Sequence, residues 1–219
     1  LFNANLQENV SAANDLKINE AINTAITQKG PVHINAPFEE PLYETVSALS
    51  VAANTVAFAN NTQTISIEEV SEYATIWNNA TKKMILVGVN EPNAISKKTI
   101  TAFAKEEPVV VLTETTSNVH HETFINTIDT IITPFTKEDF EYFRPEILVT
   151  FGGMVVSKRI KTFLRKYKPK HHWHIDSWRA YDTFGALTKH FEVTPNVFFD
   201  AFLPLTNATE SNYFQQFNA

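Results

Sequence analysis

Ile147-Leu148-Val149-Thr150-Phe151-Gly152-Gly153-Met154-Val155-Val156-Ser157-Lys158-Arg159 is the stretch whose reading decides the fold. Its first five residues are apolar or β-branched at every position. A strand of that kind has no solvated face and belongs in a sheet covered on both sides. Two glycines then permit a tight turn or a close backbone approach, and a basic helix is predicted over 155–167. The same unit repeats outward from here. Upstream, a helix at 67–79 leads to the strand Met84-Ile85-Leu86-Val87-Gly88-Val89, and a helix at 94–105 leads to Pro108-Val109-Val110-Val111-Leu112. A short helix at 119–126 is predicted before a strand Thr130-Ile131-Ile132, and a helix at 136–143 precedes the quoted strand. Downstream comes His172-Trp173-His174-Ile175-Asp176, and a last short strand is read at Val193 and Val197-Phe198-Phe199. Continuous apolar strands, each separated by about one helix, predict an α/β fold: a Rossmann-like parallel sheet with helices on both faces, spanning 67–205.

The residues before this pattern read differently. Leu16, Ile18, Ile22 and Ile26 repeat at close to one helical turn, which predicts a helix over 13–28. Lys29-Gly30 ends it with a cation and a glycine, and Pro31–Phe38 reads as a buried strand stopped by Pro37 and Pro41. A polar connector containing Asn54, Asn60, Asn61 and Thr62 runs to about residue 66. The expected organisation is therefore the tail of an earlier domain over 1–38, a linker over 39–66, a central domain over 67–205 and the start of a further linker over 206–219. The chain opens at Leu1 with no initiator Met, and the expectation is a piece of something larger whose catalytic machinery lies elsewhere.

Composition narrows the class. With 43% hydrophobic and 12% aromatic residues the chain is globular rather than disordered. A net charge of −6 argues against general nucleic-acid binding, which needs a basic surface. Without cysteine there is no disulfide framework, thiol nucleophile or zinc-cysteine site. No apolar run reaches the roughly 18 residues of a membrane span, so a soluble, cytoplasmic protein is expected.

Chemistry-bearing clusters are few. A parallel sheet binds ligands beyond the carboxyl ends of its strands, here at 88–90, 113–117, 151–154 and 176–178. Lys158 and Arg159 fall in the first turns of a helix, where cations oppose the positive end of the helix dipole. That mismatch points to an anion at the junction; the plainer alternative is a solvated basic helix, since Lys161, Arg165, Lys166, Lys168 and Lys170 continue the run. Gly-x-Gly-x-x-Gly and the phosphate loop are both absent from a chain with five glycines. His171, His172, His174 and Asp176 lack a ligand spacing known for metals, and no metal site is assigned. The adjacent pairs Glu39-Glu40 and Glu106-Glu107 diverge and make poor acid–base dyads. The polar stretch Thr113–Asn118 follows a strand end, and helix capping by Ser117 or Asn118 explains it equally well.

Two segments together carry a resemblance. Gly30-Pro31-Val32-His33-Ile34-Asn35-Ala36-Pro37-Phe38-Glu39-Glu40-Pro41-Leu42-Tyr43 resembles the strand and exit closing the pyrimidine-binding domain of thiamine diphosphate enzymes. The ending Pro-Phe-x-Glu-Pro-Leu-Tyr is similar to the menaquinone-pathway family of 2-succinyl-5-enolpyruvyl-6-hydroxy-3-cyclohexene-1-carboxylate synthases. Phe151-Gly152-Gly153-Met154 with Ser157-Lys158-Arg159 resembles that family's central-domain element Phe-Gly-x-Met-Pro-Thr-Ser-Lys-Arg, from which Val155 and Val156 depart. The resemblance implies a parent transferase that uses thiamine diphosphate and Mg²⁺ to decarboxylate 2-oxoglutarate and add the product to isochorismate, acting as a homo-oligomer. It further implies that Lys158 and Arg159, with Ser157, contact a dicarboxylate substrate, Arg159 through a forked contact and Lys158 as a point charge. The family's Gly-Asp-Gly metal-diphosphate stretch is not in this sequence, and its activating Glu belongs to an earlier domain. The fragment is thus expected to hold no catalytic, cofactor or metal residue and to be inactive alone. A reading of a different class is a stand-alone Rossmann-like regulatory module that senses an anionic metabolite at 151–159.

Overall fold

The computed structural model describes residues 4–37 (4–9 through their backbone alone), 45, 47–49, 52–56, 63–105 and 109–217. The chain divides into two units, Leu1–Thr62 and Gln63–Ala219.

The first unit is organised by one helix, α1 (Ala4–Gln28), which starts well before the predicted 13–28. Its apolar stripe is real but uncovered: Leu16, Ile18, Ile22 and Ile26 are 41–71% exposed. A second stripe, Asp15, Asn19 and Asn23, repeats at one-turn spacing and binds a passing segment. Asn54 N donates to Asp15 Oδ2 (3.2 Å), Asn19 Nδ2 donates to Asn54 O (2.7 Å) and Val56 N donates to Asn19 Oδ1 (2.8 Å). Asn23 Nδ2 completes the set by donating to Val56 O (2.6 Å). Side-chain amides thus satisfy backbone groups that a neighbouring strand would otherwise satisfy. At the helix end the left-handed position falls on Lys29 (φ 48°) rather than on Gly30. Residues 31–37 form no strand, against expectation, and Phe38 lies outside the described residues. The cause is the missing neighbour: strands are stabilised by cross-strand pairing, and no described residue pairs with this segment.

The second unit carries the α/β pattern. Helix α2 (Ile67–Asn78), whose Ser66 Oγ cap accepts from Glu69 N, leads to β1 (Lys83–Val87); α3 (Lys97–Lys105) leads to β2 (Val109–Leu112). Next come α4 (Ile128–Ile132), α5 (Lys137–Tyr142), β3 (Ile147–Phe151), α6 (Lys158–Lys166) and β4 (His171–Ile175). The unit closes with β5 (Lys189–Phe191), α7 (Pro195–Phe202) and α8 (Tyr213–Phe217). All five strands are parallel, in the order β2-β1-β3-β4-β5. The expected Rossmann-like sheet with helices on both faces is therefore the observed fold.

Alternation along each strand builds two cores. Ile85, Val87, Val149 and Trp173 point to one face, against Trp77 of α2, Phe103 of α3 and Phe199 of α7. Met84, Leu86, Val110 and Leu148 point to the other, against Ile132 of α4, Phe163 of α6 and Phe217 of α8. Because β1 and β3 are buried at every position, their sequences contain no polar alternation.

Three predicted elements change. Residues 119–126 are not a helix but a loop in which Ile125 makes an isolated parallel bridge to Leu112. The predicted strand 130–132 is instead part of α4, with Ile128 and Ile132 buried one turn apart. A three-residue apolar run has no period of its own, so its neighbours decide its state. The last strand lies at 189–191, whereas Val197-Phe198-Phe199 sits in α7 behind the Thr194 cap and Pro195, with Phe198, Phe199 and Phe202 on its buried side. Beyond these, residues 206–217 are tied to the unit. Tyr213 and Phe217 are buried, and the fully buried Lys83 donates to Thr209 Oγ1 (2.8 Å) with its Nζ 5.1 Å from the Trp77 ring.

Candidate functional site

The order β2-β1-β3 places the point where the strand order reverses between β1 and β3, where ligands of such sheets usually lie. Here the loops occupy that crevice themselves. A Cβ on Gly88 would stand 2.0 Å from Gly153 O, Gly153 N donates to Val89 O (2.7 Å), and Gly152 takes a left-handed φ of +79°. Asn118 Nδ2 donates to Asn90 O (2.7 Å), drawing the loop after β2 against them. The glycines serve contact between loops.

The start of α6 is the most densely bonded point of this end of the sheet. Val156 N donates to Glu114 Oε2 (2.8 Å) and Ser157 N to Glu114 Oε1 (2.6 Å). Ser157 Oγ accepts from Ile160 N (3.1 Å) and donates to the Asp129 carboxylate. Glu114 is itself anchored: its N–H donates to Ser117 Oγ (2.9 Å), which donates to Val87 O (2.7 Å) in the interior. The first turn of α6 contains no acidic residue, so these two carboxylates from other segments face the positive end of its dipole. The anion inferred from the sequence mismatch has an internal counterpart.

The three residues expected to act together are consequently split. Lys158 and Arg159 are exposed and line a groove of ≈430 Å³, floored by Ile132, Phe140, Phe163 and Tyr167 and joined by Lys166. Among the described residues neither Lys158 nor Arg159 forms an ion pair. Ser157 lines a different surface, with Glu114 and Asp129, and its hydroxyl is engaged on both sides. Glu114 and Asp129 were missed in the sequence. The available signal was an α6 with cations and no acid in its first turn; nothing in the sequence says that the acid comes from 43 positions away.

A second cavity, ≈550 Å³, lies at the ends of β3 and β4 and is lined by Lys161, Arg165 and Arg179 together with His172 and His174. Thr150 Oγ1 sits between His172 Nε2 (2.9 Å) and His174 Nδ1 (2.8 Å). Burial pushes His172 down to about 4, helped by the His174 charge and opposed by Asp182. Burial likewise pushes His174 down to about 4, opposed by Asp176 and helped by His190. Both rings are neutral at neutral pH, so the positive potential there comes from Lys161, Arg165 and Arg179. Arg165 Nε donates to Thr183 O (2.8 Å), and Lys161 Nζ to Val155 O (3.1 Å). His172 is 1% exposed, and its Nδ1 has no hydrogen-bond partner among the described residues.

A parallel sheet of this order covered on both faces defines a Rossmann-like α/β class. Residues 53–210 match the family described as "Middle domain of thiamine pyrophosphate", and the chain belongs to that family. The chain is 60% identical over 213 residues to the 2-succinyl-5-enolpyruvyl-6-hydroxy-3-cyclohexene-1-carboxylate synthase of Flavobacterium psychrophilum, covering 97% of this chain and 38% of that protein. It is 59% identical over 217 residues to the Flavobacterium johnsoniae synthase of the same name (99% and 39%), and 50% identical over 181 residues to that of Christiangramia forsetii (80% and 31%). The chain thus spans less than two fifths of the length of these curated relatives.

Among the described residues the donor set does not fit the family's cofactor. No group of three or more His, Cys, Asp or Glu able to hold a metal ion occurs among the described residues. The strand-end glycines pack on each other and leave no cradle for a diphosphate. Among the described residues no helix is long and apolar enough to cross a membrane.

Proposed function

We propose that this chain is the central α/β part of a thiamine diphosphate- and Mg²⁺-dependent synthase of the menaquinone pathway, with residues 1–38 closing the preceding pyrimidine-binding domain. In this reading the whole protein, a cytoplasmic homo-oligomer, decarboxylates 2-oxoglutarate and adds the product to isochorismate, and the fragment is inactive alone. The single observation that carries the reading for this chain's own residues is the pair of exposed cations, Lys158 and Arg159, which form no ion pair among the described residues and stand beside an apolar floor. Isochorismate combines carboxylates with a ring, which suits that combination. Arg159 binds a carboxylate through its planar fork and Lys158 adds a second charge, while Phe140, Phe163 and Tyr167 cover the ring. Water leaves the groove as the ring enters, which strengthens both charge contacts. Ser157 acts through the helix start that it caps.

The test is turnover by the full-length protein. With thiamine diphosphate, Mg²⁺, 2-oxoglutarate and isochorismate, carbon dioxide release should depend on isochorismate, and the isolated 219-residue chain should release none under the same conditions. Release by the full-length protein that is indifferent to isochorismate would defeat the proposal.

A second reading, a regulatory site for an anionic metabolite in this domain, is favoured by the ≈550 Å³ cavity with its three cations and the unpartnered His172 Nδ1. A panel of small organic acids that leaves the thermal midpoint of the chain unmoved would remove it.

A further inference from the structure

We infer that Glu114 is a positioning residue for Lys158 and Arg159, an inference that rests on the function proposed above. Both oxygens of its carboxylate are committed, one to Val156 N and one to Ser157 N. Two consecutive amides bound to one rigid carboxylate fix the two peptide planes that immediately precede α6, and with them the direction in which its first side chains leave the helix. The far end of Glu114 is equally constrained. Its own N–H reaches Ser117 Oγ, whose hydroxyl reaches Val87 O at the end of β1. A continuous path of hydrogen bonds therefore runs from the sheet, through Ser117 and Glu114, to the residue before Lys158. Asp129 reinforces it from α4 by accepting a hydrogen bond from the Ser157 hydroxyl.

This arrangement has a consequence for binding. A helix start normally offers its free amides to an anion. Here Glu114 already accepts from the Val156 and Ser157 amides, and the Ser157 hydroxyl accepts from Ile160 N. The side chains of Lys158 and Arg159 lie on the groove side and not on the surface shared by Ser157, Glu114 and Asp129. Glu114 thereby sets where the two cations stand.

The test uses the full-length enzyme and four forms: wild type, Glu114→Gln, Arg159→Ala and the double variant. Glu114→Gln keeps the side-chain shape but can accept through one oxygen only, so one of the two amide bonds is lost. The KM for isochorismate should rise about tenfold while kcat stays within about twofold, because misplacement of a binding group weakens substrate contacts without touching the reacting atoms. The 2-oxoglutarate KM should not move. In the Arg159→Ala background, Glu114→Gln should add less than it does in the wild type, because only the Lys158 contact is left to misplace. Glu114→Asp, which keeps the charge and shortens the reach, should give a smaller rise in KM and serves if Glu114→Gln is poorly folded. A raised KM in Arg159→Ala with an unchanged KM in both Glu114 variants overturns the inference and leaves the proposed function standing. An unchanged KM in Arg159→Ala and the Glu114 variants alike identifies the substrate role of the groove as the part that failed. Equal losses in kcat and kcat/KM with a lowered thermal midpoint mean a structural role only, and also overturn the inference.

Discussion

Helix α1 and the helices of the α/β unit carry the same kind of apolar stripe and meet opposite fates. In α1, Leu16 and Ile26 are 71% and 68% exposed, and the helix uses Asp15, Asn19 and Asn23 to hold a backbone segment. In α7, Phe198, Phe199 and Phe202 are at most 1% exposed and pack among Trp173, Phe191 and Phe103. Periodicity specifies that a helix forms; burial depends on whether the chain supplies something to cover it. Stability in this chain is therefore expected to reside almost wholly in the second unit, which also holds every cation-lined cavity described above.

That contrast can be broken by truncation. Trp173→Ala or Phe198→Ala should cost about 3–5 kcal/mol, because each leaves a cavity in a close-packed core. Leu16→Ala should stay within about 0.5 kcal/mol, as exposed substitutions do. Urea unfolding of the three variants checks both halves, and a Leu16→Ala loss as large as that of Phe198→Ala would show that α1 is covered in solution.

Acid should act on the same side of the contrast. In the folded state His172 and His174 titrate near 4, below the ordinary value of 6.5. Between those values the unfolded chain binds more protons than the folded one, so stability falls as pH drops through the window and levels off below about 4. The loss for the pair is on the order of a few kcal/mol. Chemical denaturation at pH 7, 5.5 and 4.5 should show the decline, and His172→Phe should flatten it; a flat profile in the wild type would contradict the burial of the pair.

The smallest effect expected is local. Asn19→Ala removes the bonds to Asn54 O and from Val56 N and should cost about 1 kcal/mol, confined to that segment. Faster amide exchange at Val56 with unchanged exchange in β1 and β3 would sharpen the contrast between the two units.

How much of this was legible in the sequence followed the same division. β1 and β3 were plain because both faces are buried, which leaves a run of apolar and β-branched residues with no polar alternation over 84–87 and 147–151. Residues 119–132 were misread because Thr130-Ile131-Ile132 is too short to carry a period: it belongs to α4, and Ile125 in the preceding loop makes the bridge to Leu112. The strand expected at 31–38 is absent over the described residues 31–37, where no described residue pairs with the run. At the site, Lys158 and Arg159 stood out as cations at the wrong end of a helix dipole, and they do line one groove. Glu114 did not stand out. Its part is visible only when β2 and β3 sit on either side of β1 and their exit loops meet.

The central claim is that Lys158 and Arg159 meet a substrate carboxylate in the groove beside α6. Its most direct test is the isochorismate KM of the full-length Arg159→Ala enzyme, measured with saturating 2-oxoglutarate and cofactor. A rise of about tenfold or more is expected, the scale of one charge-assisted, forked contact. An isochorismate KM equal to that of the wild type would contradict it.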